Sequence, residues 1–189
     1  LASHYTAVVS VNLTRANSGT LGAAETAAAR VSARGGVLVV DTRTRHTHVD
    51  GEYSARRASC EQAASILGVP ALRDVTDLDG ALAQLPEMIG RRVRHIVTEN
   101  ARVLESVAAL DAGDYARLGE IMTASHVSMR DDYEITETSV DLAVATACAA
   151  GALGARMTGG GFGGCVLALV HAEQVDAVAS AVTAAFDVG

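Results

Sequence analysis

Near the C-terminus, Met157-Thr158-Gly159-Gly160-Gly161-Phe162-Gly163-Gly164-Cys165 places five glycines in nine residues, between two apolar runs. Glycine opens backbone conformations closed to other residues and lets the main chain approach a ligand closely. Such a stretch could border an anionic group. Gly159, Gly161 and Gly164 also fit the G-x-G-x-x-G spacing of dinucleotide-binding turns. That chemistry needs a helix directly after the loop, because the pyrophosphate rests on a helix N-terminus. The loop instead runs into Val166-Leu167-Ala168-Leu169-Val170, a continuous apolar stretch that predicts a buried strand. A dinucleotide turn is therefore rejected, and a strand–glycine loop–strand hairpin is expected. The loop alone leaves a structural turn and a ligand-bordering role equally open.

Two more segments concentrate polar groups. Asp41-Thr42-Arg43-Thr44-Arg45-His46 leads through Asp50-Gly51-Glu52-Tyr53 to Arg56-Arg57 and Cys60-Glu61. Ser125-His126-Val127-Ser128-Met129-Arg130-Asp131-Asp132-Tyr133-Glu134-Ile135 lies about midway between that stretch and the glycine loop. In this order and at these distances the three segments resemble the C-terminal half of galactokinases, members of the GHMP family of small-molecule kinases, from about Val37 to Phe186. The resemblance implies an α+β fold in which residues 37–189 form a ferredoxin-like C-terminal domain, its helices layered on an antiparallel sheet. Residues 1–36 stay unassigned.

The activity implied is transfer of the γ-phosphoryl group of ATP, with Mg²⁺, to the anomeric hydroxyl of galactose. Catalysis there is mainly positioning and charge stabilisation. Tyr53 is the implied sugar contact, since a phenol offers an apolar face and a hydroxyl together. Gly159, Gly160, Gly161, Gly163 and Gly164 form the implied loop on the nucleotide and phosphate side. Arg45 is either a solvated strand-end charge or a support for the transferring phosphoryl group. Ser128, Arg130, Asp131 and Asp132 read first as a salt-bridged cap after a helix, and second as support behind the phosphate region. Asp131 and Asp132 are adjacent, so their side chains diverge in regular structure, against a paired-carboxylate site. His46 and His48 share a face if extended, yet no third metal ligand is in evident reach, and no metal site is assigned. Cys165 reads as a small packing residue.

Three parts of a complete galactokinase are absent from the sequence: the N-terminal sugar-recognition motif, the Gly-Leu-Ser-Ser-Ser-Ala phosphate loop, and the Met-Asp-Gln that carries the expected base. Ser18 to Ala24 faintly resembles a phosphate loop but lacks the serine triplet. The chain begins at Leu1 and ends at Gly189, before a final strand would be expected. The expectation is a piece of a kinase, inactive by itself, that partners the missing N-terminal half and self-associates. A non-enzymatic sensor of galactose and ATP descended from such a kinase is the alternative.

Composition narrows the class without naming it. The formal net charge of −7 leaves no basic footprint for nucleic acid. Cys60, Cys148 and Cys165 have no C-x-x-C spacing, so reduced thiols and a cytoplasmic location are expected. The most apolar stretch, residues 141–157, is too short and too interrupted to span a bilayer. No signal peptide is recognisable.

These residues need elements to hold them. Val37–Val40 predicts a strand, and residues 53–67 a helix that ends at Gly68-Val69-Pro70. Residues 89–112 predict a long helix with Val93, Ile96, Val97, Val103, Leu104, Val107 and Leu110 inward. Gly113 closes it and Asp114 caps the next, which runs to about Met129. A further helix, capped by Thr138 or Ser139, precedes strands at 155–158 and 166–170. A last helix covers 171–186.

Overall fold

A computed structural model describes residues 8–12, 36–45 and 49–187. His46, His48 and the segment 18–24 lie outside the described residues. The strands are β1 (Val8–Asn12), β2 (Gly36–Arg45), β3 (Gly154–Thr158) and β4 (Gly163–Val170), in the order β1-β2-β4-β3. The helices are α1 (Val49–Leu67), α2 (Leu78–Leu82), α3 (Glu87–Ala112), α4 (Tyr115–Ser128), α5 (Thr138–Ala149) and α6 (Val175–Phe186).

β3 and β4 form the expected antiparallel hairpin, in register from Gly154↔Leu169 to Thr158↔Cys165, and β4 pairs antiparallel with β2. The three strands within residues 37–189 therefore form the expected antiparallel sheet, and the N-terminal segment adds one edge strand to it. β1, from the unassigned N-terminal segment, runs parallel to β2 with Val8 opposite Val37 and Asn12 opposite Asp41.

Helices cover both faces of the sheet, because β2 and β4 are apolar at successive positions and have no polar face to leave in water. On one side Leu38, Val40, Val166, Ala168 and Val170 pack with Val140, Ala143, Val144 and Ala147 of α5 and Val175, Val178 and Val182 of α6. On the other, Val37, Val39, Cys165 and Leu169 pack with Ala109 of α3 and Leu118 and Ile121 of α4. Cys165 is 1% exposed, as a packing residue should be. α4 lies so close to β3 that a Cβ on Gly119 would stand 2.3 Å from the Leu153 carbonyl oxygen, and one on Gly154 would stand 1.9 Å from the Gly119 oxygen. Only hydrogen fits at this crossing. A third cluster, Ala63, Leu72, Ile89 and Val93, joins α1 to α3 beside the sheet.

Several boundaries differ from expectation for identifiable reasons. β2 continues to Arg45, with a register shift after Asp41, because its last residues alternate polar with β-branched Thr and escape a search for apolar runs. α1 begins at Val49, four residues early: Asp50 and Glu52 belong to its first turn, where negative charge favours a helix N-terminus. Asp114 caps α4 as expected, its side chain accepting from Arg117 N–H. α5 has no side-chain cap and follows Glu137 directly. α6 begins at Val175, after a 3₁₀ turn over Ala172–Gln174.

The face of α3 is the largest correction. Val93 is fully buried, but Val103, Leu104, Val107 and Leu110 are exposed, Leu104 by 73%. The residues turned inward instead include Arg92, His95, Glu99, Arg102, Ser106 and Ala109, spaced three and four apart. A mostly polar stripe is buried or half-buried, and its charged members are paired: Arg92 and Glu99 across the domain, Arg102 with Glu99 and Thr98 of the same helix.

Candidate functional site

The hairpin's turn is a run of left-handed backbone. Gly159, Gly161, Gly163 and Gly164 have φ of 106°, 93°, 112° and 106°, and Phe162 between them has φ 59°. A Cβ on Gly161 would lie 2.8 Å from Ile135 Cβ, so glycine is required there on both conformational and steric grounds. Phe162 is buried, and its N–H donates to the Ile135 carbonyl at 2.6 Å. The loop is thereby fastened to the segment after α4. Thr42 Oγ1 donates to the Gly164 carbonyl at 2.7 Å, which ties β2 to the loop's far end. Beside it Arg45 pairs through its backbone with Gly163.

Tyr53 stands on the first half of α1 and is 58% exposed. It and Gly160 line one cavity of about 280 Å³ with Arg56, Cys60, Tyr133, Ile135 and Phe162. The fold thus brings the first and third sequence segments together, with the second segment as the wall between them. The lining is chiefly apolar and aromatic, with phenol, thiol and guanidinium groups interspersed, a composition suited to a small polyhydroxylated ligand. Tyr133 stacks on His95 with ring centroids 4.5 Å apart, and its hydroxyl lies 3.7 Å from Cys60 Sγ. Burial pushes the Tyr133 phenol up, so it stays protonated.

That wall is built from Met129–Tyr133, a π-helical turn, and Glu134, which has φ 54°. Ser128 Oγ donates to Asp132 Oδ2 at 3.1 Å and bonds His95 Nδ1 at 3.0 Å. Asp132 also takes Arg94 at 3.0 Å. Glu134 receives Arg91 and the 2%-exposed Arg92, and Arg92 holds its carboxyl below the usual range. Arg130 and Asp131 pair with each other at the surface, outside the cavity lining. Asp131 and Asp132 diverge as expected.

Behind the wall lies a second polar set that sequence reasoning missed. Glu99 accepts from Ser125 at 2.6 Å and pairs with Arg102 and Arg156. Burial alone would raise its pKa, but the hydrogen bonds from Ser125 and Arg102, with the Arg156 charge, bring it below the ordinary value. His126, 2% exposed, accepts the Met157 N–H at Nδ1 and therefore carries its proton at Nε2, toward Asp141 at 3.1 Å. Burial lowers the pKa of both His126 and His95, the latter to about 4. The one sequence signal for this set was the density of polar residues on α3 at helical spacing. Nothing local indicated their partners.

Among the described residues no group of three or more His, Cys, Asp or Glu side chains could hold a metal. The Mg²⁺ implied by the resemblance has no ligand set of that kind among the described residues. No described helix is long and apolar enough to cross a membrane.

Residues 106–188 match the family described as GHMP kinases C terminal. The chain is 54% identical over 154 residues to a galactokinase of Streptomyces coelicolor, covering 79% of this chain and 40% of that protein. It is 52% identical over 158 residues to a galactokinase of Mycobacterium tuberculosis, covering 80% and 44%. The fold superposes on Lactococcus lactis galactokinase complexed with galactose with a TM-score of 0.76 and 33% identity, over 80% of this chain and 41% of that one. Mevalonate kinase of L. major shares the fold alone, with a TM-score of 0.54, 23% identity and coverage of 78% and 37%. The chain spans about two-fifths of the length of the curated relatives it matches. By sequence and by fold alike, the chain belongs to the GHMP kinase family and carries that family's C-terminal domain.

Proposed function

We propose that this chain is the C-terminal part, residues 37–189, of a galactokinase-type sugar kinase that transfers the γ-phosphoryl group of ATP to the anomeric hydroxyl of galactose. The observation that carries this reading is the shared cavity in which Tyr53 faces the glycine loop, on a chain whose relatives at 52–54% identity are galactokinases. In this reading Tyr53 touches the sugar, and Gly159, Gly160, Gly161, Gly163 and Gly164 border the phosphates. Arg45, whose strand end meets Gly163, supports the phosphoryl side, and the wall is supported by Ser128, through Asp132 and His95, and by the Arg130–Asp131 pair on its outer surface. ATP and Mg²⁺ are handled chiefly by an N-terminal half that supplies the phosphate loop and the base. This chain alone then has no measurable kinase activity, since removing several groups of one catalytic unit costs orders of magnitude. A cytoplasmic setting suits its free thiols.

The test is a chimera in which residues 37–189 replace the matching portion of the Streptomyces coelicolor galactokinase. It should phosphorylate galactose. Tyr53→Ala should weaken galactose binding by on the order of 1–3 kcal/mol while leaving an ATP analogue's affinity nearly intact. Gly161→Val should do the reverse. An inactive chimera that nonetheless folds, or a Tyr53→Ala variant that binds galactose like the parent, would refute the assignment.

A further inference from the structure

Among the described residues, two that are not glycine have left-handed backbone: Glu134, φ 54°, and Phe162, φ 59°. Such conformations persist where surrounding structure over-determines them, and they cluster at functional sites. One side chain meets both. Arg56 Nε donates to the Tyr133 carbonyl at 2.7 Å, and its Nη2 donates to the Glu134 carbonyl at 2.9 Å. The same guanidinium carbon lies 5.7 Å from the centre of the Phe162 ring. The side chain is 15% exposed, and its charge is balanced by Glu52 at 3.6 Å and Glu134 at 3.9 Å. Arg56 follows Tyr53 by three residues on α1, so the two share a helix face.

We infer that Arg56 is the positioning residue of this site: it clamps the left-handed turns at Glu134 and Phe162 and thereby sets Tyr53 and the glycine loop in one register. The chemistry requires arginine. A planar fork can donate to two adjacent carbonyls and still present a face to an aromatic ring, whereas lysine offers a single point charge. That the register serves galactose rests on the function proposed above, but the clamp itself does not.

Backbone hydrogen exchange on the 189-residue chain tests the clamp without any ligand. Arg56→Met should speed exchange over residues 159–166 and 131–136 by about tenfold or more, leaving α5 and α6 at parental rates. Arg56→Lys should fail to restore the parental pattern. Arg117→Met, which removes an exposed ion pair with Glu105 and Glu120, should change neither segment. Unchanged exchange in both Arg56 variants would overturn the clamp, and so would acceleration spread evenly through α5 and α6. If Arg56→Met does not fold, Arg56→Lys decides. In the chimera, Arg56→Met should weaken galactose binding by about tenfold, and adding it to Tyr53→Ala should cost little more than Tyr53→Ala alone. Fully additive losses would overturn the coupling to Tyr53. A parent chimera that does not bind galactose would sink the sugar reading, while hydrogen exchange still decides the clamp.

Discussion

Replacing Gly161 with alanine should destabilise the domain far more than the same change at its neighbour Gly160. Two costs add at Gly161. Its φ of 93° lies where side chains are disfavoured, at about 1–2 kcal/mol for a residue with a Cβ. The new Cβ would also stand 2.8 Å from Ile135 Cβ and 3.1 Å from the Ile135 carbonyl oxygen. Relieving such an overlap in a packed region costs about 1–3 kcal/mol. The sum is about 2–5 kcal/mol, a large share of the roughly 5–15 kcal/mol that keeps a domain folded. A Cβ on Gly160 meets nothing within 4 Å, and its φ is not positive. Alanine there should be neutral or stabilise by about 0.4–1 kcal/mol, through the unfolded chain's lost freedom. Urea denaturation followed by circular dichroism reads both variants against the parent. Equal midpoints for the two variants, or a Gly161→Ala loss below about 0.5 kcal/mol, would show that the loop relaxes freely and is not held by Ile135.

Stability should fall as pH drops from 6.5 toward 4. The unfolded chain protonates His95 near 6.5 and the folded chain only near 4, so the unfolded state binds more protons throughout that window. The full effect from His95 is about 3 kcal/mol, present above pH 6.5; His126 acts in the same direction, and His95→Asn should flatten the thermal-melt profile across the window. Gly119→Ala should cost about 3 kcal/mol or more, because its Cβ would press on the backbone oxygen of Leu153; a midpoint close to the parent's would mean that α4 can lift from β3 at little cost. The exposed Val103, Leu104, Val107 and Leu110 of α3 should drive self-association visible by sedimentation, and Leu104→Lys should reduce it; a monomeric parent would count against that patch as the cause.

Much of this protein is written in local pattern. The glycine run that enters Val166-Leu167-Ala168-Leu169-Val170 specified a hairpin, because five glycines and a β-branched apolar run leave few other conformations. Asp114 and Gly113 marked helix ends by chemistry confined to one turn. The three segments in order carried the family. Local pattern could not express any partner distant in the chain. The inward stripe of α3 is mostly polar, and only the arrival of Asp132, Glu134, Ser128, Ser125 and Arg156 lets Arg92, His95 and Glu99 turn inward. Val103, Leu104, Val107 and Leu110, which continue the apolar periodicity of the same helix, are left in water. Likewise Val8–Asn12 reads as a short apolar run, and only β2's unpaired edge makes it a strand of the sheet. Tyr53 and Gly160 are more than a hundred residues apart, and their meeting over Tyr133 depends on Arg56 bonding two carbonyls near residue 134. Residue types and spacing determined which groups could do chemistry. Tertiary structure decided which of them share a cavity, because burial of charge and left-handed backbone are stable only once their partners are in place.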